Sequence, residues 1–146
     1  MAKPAVPISA DASTRVLCVD DGPDMTAMLR LNIESDPAMR CVGCLASADH
    51  LLDEVRRQNP PPDVVLLDAT MPGKDPLEAL RELDAAFPRV RTIILSGDSD
   101  AAFIDRVFAA GAWGYVSKGD EPGTVLQAVR AVAKGNVWRP LRPHGR

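Results

Sequence analysis

Residues 64–68 have the sequence VVLLD, an apolar run that ends in a carboxylate. Apolar and polar residues do not alternate here, so the run predicts a strand buried on both faces, as in a parallel sheet. Residues 92–95, TIIL, form a second run of this kind. The two runs favour a fold in which buried parallel strands alternate with helices.

The remaining segments extend this pattern along the chain. Strands are predicted at residues 15–19, 40–45, 63–67, 91–95 and 114–116. Apolar residues recur at helical spacing between them, and the third helix has a clear start, with Asp75 as its cap, Pro76 in its first position and Glu78 in its first turn. Gly111 and Gly135 are expected to end the fourth and fifth helices. Five strands and five helices in alternation predict an α/β domain with helices on both faces of a parallel sheet.

Length and composition set the class of protein and its domains. The chain has 146 residues and a net charge of −3, which fits one domain and argues against a basic surface for nucleic acid. It has no apolar run long enough to span a bilayer and no signal-peptide pattern, so we expect a soluble cytoplasmic protein. Residues 1–13 are predicted as a flexible lead-in, 14–135 as the folded domain and 136–146 as a C-terminal tail. A disordered tail is favoured over one in which Trp138 packs back on the domain.

Three cysteines occur, and two of them stand in the sequence CVGC at residues 41–44. This spacing occurs in zinc and redox motifs. No second Cys or His pair with metal-ligand spacing accompanies it, and the segment is a predicted strand. We therefore assign it no metal or redox role from the sequence.

Carboxylates directly follow two of the predicted strands. Asp20 and Asp21 come after the first strand and Asp68 after the third. Function gathers at the carboxyl ends of the strands in open parallel sheets, and neighbouring first and third strands would bring these carboxylates together. Like charges at short range repel unless a cation neutralises them, and Mg²⁺ prefers oxygen ligands. The acidic cluster therefore predicts a metal site.

Complementary groups follow the other strands. Ser96 ends the fourth strand and Lys118 follows the fifth. Each residue alone has an ordinary structural explanation. A serine after a strand is usually structural, a lysine near a loop is usually a solvated charge, and an Asp after a strand often caps a helix or forms a turn. Together, carboxylate, metal, hydroxyl and ammonium would form an electrostatic cradle for a phosphoryl group. Asp is a known covalent nucleophile in such chemistry.

Four segments together resemble the receiver domains of response regulators in two-component systems. They are residues 16–21 (VLCVDD), 64–68 (VVLLD) with Met71-Pro72, 93–97 (IILSG) and 111–118 (GAWGYVSK). The resemblance runs from about residue 15 to residue 134. It implies a flavodoxin-like, doubly wound fold with strand order 2-1-3-4-5. Gly119 stands where many members have proline, which is typical of the branch that usually carries a helix-turn-helix output domain.

The resemblance implies a signalling switch in a phosphorelay and not a turnover enzyme. Asp68 would accept a phosphoryl group from a sensor histidine kinase, a phosphotransfer protein or a small acyl phosphate. Ser96 and Lys118 would bind phosphoryl oxygens, and Tyr115 would turn inward as Ser96 moves. Mg²⁺ or Mn²⁺ would be the cofactor, and its ligands would be Asp20, Asp21, Asp68 and the backbone carbonyl of Thr70.

The output is left open by the sequence. Residues 136–146 are too few for a helix-turn-helix domain, so the chain is either a stand-alone receiver or a piece of a longer regulator. A stand-alone receiver would bind neither DNA nor membrane and would act on a downstream protein or a second copy of itself. The face around Phe103, Val107 and Tyr115 is the expected place for phosphorylation-dependent contact, and a second copy could bind through this face or through the first and fifth helices.

Three other functions share part of this pattern. A pseudo-receiver would signal without phosphorylation. An aspartate-based phosphatase generally needs an acidic residue two positions after its nucleophile, where this chain has Thr70. A flavin-binding module needs a phosphate loop rich in hydroxyls and glycine, where residues 20–23 are DDGP.

Overall fold

The structure, a computed structural model, describes residues 13–97, 100–121 and 123–140. Its strands are β1 (Thr14–Val19), β2 (Met39–Leu45), β3 (Val64–Asp68), β4 (Arg91–Ser96) and β5 (Gly114–Ser117). Its helices are α1 (Pro23–Glu34), α2 (Leu51–Arg57), α3 (Pro76–Ala86), α4 (Ala101–Ala109) and α5 (Gly123–Ala133). Among the described residues, no helix has the length and apolar character needed to cross a bilayer.

The strands form one parallel sheet in the order β2-β1-β3-β4-β5. This confirms the predicted α/β class and strand order. The predicted strand ends differ from the observed ones by one residue at most. The difference matters at β3, because Asp68 is its last residue and pairs with Leu95 of β4.

Two apolar cores lie on opposite faces of the sheet. Val65 and Leu67 of β3 face a core shared with α2, α3 and α4. Val64 and Leu66 face the other core, which α1 and α5 cover. Side chains alternate along a strand, so a strand buried on both faces must be apolar throughout. This explains the uninterrupted apolar run of β3.

The predicted helix ends are present in the structure. The Asp75 carboxylate caps α3 by accepting a hydrogen bond from the Leu77 backbone N–H at 3.2 Å, and Pro76 is the first helical residue. Gly111 follows α4 with φ of +115°, a conformation that glycine adopts without steric cost. A Cβ atom at Gly111 would lie 2.7 Å from the side chain of Asp84, so glycine is required at this position.

The expectation of a disordered C-terminal tail is wrong for residues 136–140. Trp138 forms a β-bridge with Gly114. The Trp138 N–H donates to the Trp113 carbonyl, and the Trp138 carbonyl accepts a hydrogen bond from the Tyr115 N–H. The physical reason is the free edge of β5, whose backbone groups need partners. The Arg139 guanidinium also lies 4.6 Å from the centre of the Phe108 ring. The predicted flexible lead-in lies outside the described residues except for Ser13, as does the end of the tail from residue 141.

Candidate functional site

The three predicted carboxylates meet at the carboxyl edge of the sheet. β1 and β3 are neighbours with Val19 opposite Leu67, so the residues that follow them lie side by side. Carboxylate oxygens of Asp20, Asp21 and Asp68 lie within 4.8 Å of one another. Asp20 and Asp68 are buried, while Asp21 is exposed. The structure thus brings together the cluster that the sequence predicts.

Both buried carboxylates are held by the backbone two residues further on. Asp20 Oδ1 accepts a hydrogen bond from the Gly22 N–H at 2.9 Å. Asp68 Oδ1 accepts one from the Thr70 N–H at 3.0 Å and another from the Thr70 hydroxyl, also at 3.0 Å. A short Asp side chain that bonds to the backbone in this way forms an Asx turn. These turns fix the two carboxylates in place as the chain leaves the strands.

Lys118 joins the two buried carboxylates. Its backbone N–H donates to the Ser96 carbonyl at 2.9 Å, which continues the pairing of β4 and β5 beyond the last strand residue. Its Nζ lies 3.2 Å from Asp20 Oδ2 and 3.1 Å from Asp68 Oδ1. Burial lowers the pKa of Lys118, but hydrogen bonds and charge from Asp68 and Asp20 outweigh it, so the pKa is raised above its ordinary value. The ammonium therefore stays protonated at neutral pH.

Two buried oxygens of this cluster have no hydrogen-bond partner among the described residues, and one of them, Asp20 Oδ2, lies 3.2 Å from the Lys118 ammonium. The other, Asp68 Oδ2, lacks the donors that Oδ1 has. An unpartnered buried oxygen on a charged group costs free energy. One ammonium also leaves three neighbouring carboxylates with net negative charge. An additional cation that prefers oxygen ligands, such as Mg²⁺, would bind the unpartnered oxygen of Asp68 and offset the negative charge of the cluster.

Ser96 and Tyr115 lie on the strands beside this cluster. Ser96 is fully buried at the end of β4, one residue beyond the partner of Asp68. Tyr115 is 1% exposed, and its ring packs edge-on against Phe103 with ring centres 6.5 Å apart. Val107 is buried as well. The contact face expected around Phe103, Val107 and Tyr115 is therefore corrected, because only Phe103 of these three reaches the surface in this structure.

The role of the Thr70 side chain was missed by the sequence analysis. The resemblance implies a metal ligand at the Thr70 carbonyl, and that remains a prediction. The structure adds that the Thr70 amide and hydroxyl both hold Asp68. The spacing of Asp68 and Thr70 carries a signal for this contact, since Asp commonly accepts a hydrogen bond from the residue two positions on.

Replacing Lys118 with methionine tests the electrostatic role of the ammonium. The change keeps most of the side-chain volume and leaves Asp20 and Asp68 without their nearest cation. We expect the free energy of unfolding in metal-free buffer at neutral pH to fall by about 3 kcal/mol, as when one partner of a buried ion pair is removed. Urea unfolding followed by circular dichroism measures this. Mg²⁺ should restore more stability to the variant than it adds to the wild type, because the variant site is more negative.

The matched control is Lys134→Met, since Lys134 is exposed. The pKa of Lys118 is raised by folding, so its stabilisation is fully present below the unfolded-state pKa of about 10.4. It is lost as the pH rises through the higher folded-state value. Equal unfolding free energies for Lys118→Met and Lys134→Met at neutral pH would rule out this role.

Comparison with protein families gives a match over most of the chain. A family model described as the response regulator receiver domain matches residues 16–130. This range begins in β1 and ends in α5, so it includes every carboxylate and hydroxyl of the site as well as Lys118.

Two similar curated proteins are the response regulators GacA of Pseudomonas viridiflava and UvrY of Escherichia coli (strain K12). GacA is 35% identical over 125 residues, which are 85% of this chain and 57% of GacA. UvrY is 34% identical over 123 residues, which are 84% of this chain and 56% of UvrY. The chain therefore spans little more than half the length of these relatives.

Solved structures agree with the fold. A two-component response regulator of the LuxR family from Aurantimonas sp. SI85-9A1 has a TM-score of 0.81 and 31% identity, covering 87% of this chain and 89% of that one. The isolated REC domain of RcsB from Salmonella enterica serovar Typhimurium has a TM-score of 0.80 and 23% identity, and the match covers 88% of this chain and 94% of that one. The second likeness supports the fold alone.

Proposed function

The chain belongs to the response regulator receiver domains of two-component systems, and on that premise we propose that it is a phosphoryl-accepting switch with Asp68 as the acceptor. Receiver domains are signalling domains. The specific proposal for this chain is that residues 14–135 form the receiver unit and that its output depends on whether Asp68 carries a phosphoryl group.

The observation that carries the proposal is the position of the Lys118 ammonium between Asp20 and Asp68. An ammonium has three donors and can bind more than one carboxylate. Here a single ammonium contacts two buried carboxylates at 3.2 and 3.1 Å, beside a third that is exposed. A fixed positive charge next to an Asp nucleophile is the arrangement that stabilises charge on a transferring phosphoryl group.

Mg²⁺ or Mn²⁺ is the proposed cofactor. The buried Asp68 Oδ2, without a hydrogen-bond partner among the described residues, and the net negative charge of the cluster support a hard cation here. The proposed ligands are Asp20, Asp21, Asp68 and the backbone carbonyl of Thr70. When bound, the ion would offset the negative charge of the incoming phosphoryl group.

The residues of the chain would perform the transfer as follows. A carboxylate oxygen of Asp68 attacks the phosphorus of a phosphohistidine, and an O–P bond forms as the P–N bond breaks. The imidazole leaves with the electron pair and takes up a proton. Lys118 and Ser96 bind the phosphoryl oxygens, while the hydrogen bonds from Thr70 keep the Asp68 carboxylate oriented.

The switch would be a shift between two populations of the domain. A phosphoryl group on Asp68 would favour the state in which the Ser96 hydroxyl contacts it. Tyr115 would follow, because β5 carries Tyr115 opposite Ile94 of β4, two residues before Ser96. We propose that the chain acts in the cytoplasm, with a sensor histidine kinase or phosphotransfer protein as the donor. The recipient of the signal would be a downstream protein or a second copy of the chain, with no direct contact to DNA or membrane by these residues.

A turnover phosphatase fits the site less well. The residue two positions after Asp68 is Thr70, which has no carboxylic acid to protonate a leaving group. Its hydroxyl already donates to Asp68 Oδ1. A pseudo-receiver would lack phosphoryl uptake, so the same experiment that tests the proposal separates these two functions.

The experiment is the intact mass of the wild-type protein after incubation with acetyl phosphate. We expect a gain of one phosphoryl group in the presence of Mg²⁺ and no gain in the presence of a chelator. Uptake that is independent of the metal would contradict the proposed mechanism. Mg²⁺ binding without uptake, from acetyl phosphate or from phosphorylated histidine kinases, would identify a pseudo-receiver.

A further inference from the structure

Three thiols lie together on one face of the sheet, apart from the carboxylates. The sulfur atoms of Cys18, Cys41 and Cys44 all lie within 4.8 Å of one another. Cys18 belongs to β1, and the other two belong to β2. Spacing along the chain gives the CVGC sequence no third ligand, because Cys18 joins the pair across the sheet.

A β-bulge in β2 is what brings the three thiols to the same face. Side chains alternate along a strand, so residues 41 and 44 of a regular strand would point to opposite faces. In this sheet Cys41 pairs with Val16, but Gly43 pairs with the next residue, Leu17, so β2 contains one extra residue. Beyond the bulge, Cys44 lies directly opposite Cys18. The thiol cluster therefore depends on an irregularity of the backbone.

Gly43 lies at this bulge and packs against Leu17. A Cβ atom at position 43 would lie 3.1 Å from Leu17 Cδ1, closer than ordinary van der Waals contact. A side chain at this position would require the Leu17 side chain to shift by a few tenths of an ångström. Glycine as the third residue of the CVGC sequence avoids this adjustment.

The distances within the cluster are those of a metal-thiolate site. Thiolates bound to one Zn²⁺ at about 2.3 Å lie about 3.8 Å from each other. Cys41 Sγ and Cys44 Sγ are 3.9 Å apart, and the longest separation in the cluster exceeds this spacing by about 1 Å at most. Small rotations of the side chains would close the site around an ion.

The surroundings suit a charged site with access to solvent. The Arg30 guanidinium of α1 donates a hydrogen bond to Cys44 Sγ at 3.4 Å. Cys18 is fully buried, while Cys41 and Cys44 are partly exposed. Cys44 and Arg30 line an open groove that extends to Asp20 and Asp21. The groove offers an ion a path to the sulfur atoms.

We propose that Cys18, Cys41 and Cys44 form a three-thiolate site for a soft metal ion, with Zn²⁺ as the ion whose charge the site best balances. Thiolates select Zn²⁺ and Cu(I) over the hard cations that the carboxylates prefer. Three thiolates carry three negative charges, which Zn²⁺ and the Arg30 guanidinium together neutralise. Zn²⁺ would take water from the groove as its fourth ligand. Cu(I) would be held by the three sulfurs alone.

Absorption spectroscopy with Co²⁺ tests this site on the full chain, freshly reduced and freed of metal. Co²⁺ bound by thiolates gives sulfur-to-metal charge-transfer absorption, which carboxylate ligands do not give. We expect this absorption at one Co²⁺ per chain and its loss when Zn²⁺ is added. Competition with a chromophoric chelator measures the affinity for Zn²⁺ and, in a separate titration, for Cu(I).

The variants Cys41→Ser and Cys44→Ser each remove one partly exposed ligand from β2, an edge strand, so they should fold. We expect them to lose the charge-transfer absorption and to weaken Zn²⁺ binding by about tenfold or more. Asp53→Asn, on the exposed surface of α2, should keep both the absorption and the Zn²⁺ affinity. A wild-type chain that binds Cu(I) but not Zn²⁺ would support the three-thiol site with a three-coordinate ion. Absence of the absorption together with failure to retain Cu(I), or absorption that survives in both serine variants, would overturn the proposal.

Discussion

Asp68→Asn should abolish phosphoryl uptake and leave the fold intact. The substitution replaces one carboxylate oxygen with an amide nitrogen and removes the negative charge that makes Asp68 a nucleophile. The remaining oxygen can still accept the hydrogen bonds that the Thr70 amide and hydroxyl donate to Asp68 Oδ1. Lys118 keeps Asp20 as a partner, and removing one of the three clustered carboxylates relieves repulsion, so the fold should be retained. Intact mass after incubation with acetyl phosphate and Mg²⁺ measures the effect.

The matched control for this loss is Asp53→Asn, which makes the same chemical change on the exposed surface of α2. It should take up one phosphoryl group, as the wild type does. The adduct should be labile in base, as expected of an acyl phosphate. A base-labile adduct of the same mass on Asp68→Asn would show that another residue is the acceptor.

Asp21→Ala is expected to have the second largest effect, a decrease in Mg²⁺ affinity of about tenfold or more. Mg²⁺ sites in proteins use few carboxylate ligands, so the loss of one direct ligand is a large fraction of the interaction. Asp21 is exposed, whereas Asp20 and Asp68 are already paired with Lys118. The exposed carboxylate therefore has the greatest freedom to bind an ion. Isothermal titration of Mg²⁺ at constant ionic strength gives the affinity.

Asp24→Ala provides the control for Asp21→Ala. Asp24 is also exposed and lies three residues further along the chain, in the first turn of α1. Its removal changes the net charge by the same amount without touching the carboxylate cluster. We expect Mg²⁺ affinity close to that of the wild type. If Asp21→Ala and Asp24→Ala bind Mg²⁺ equally well, Asp21 is not a ligand.

Local sequence determined the architecture of this protein. An uninterrupted apolar run such as residues 64–67 is compatible with a strand buried on both faces, and its alternation with helical segments restricts the chain to a doubly wound sheet. The carboxylates could be placed for the same reason, because chain direction alone puts Asp20 and Asp68 at the ends of β1 and β3. Asp75 and Gly111 also marked their helix ends correctly, since capping is a local interaction.

Contacts between distant segments were decided only by the tertiary structure. The Lys118 ammonium reaches both Asp20 and Asp68 because β4 and β5 pair beyond their last residues. Trp138 completes the edge of the sheet at Gly114, although its own segment has no periodic pattern. Cys18 joins Cys41 and Cys44 because a bulge shifts the register of β2 by one residue. Hydrophobic periodicity reports which face of an element is buried, but it contains no information on the strand register and chain reach that bring remote side chains together.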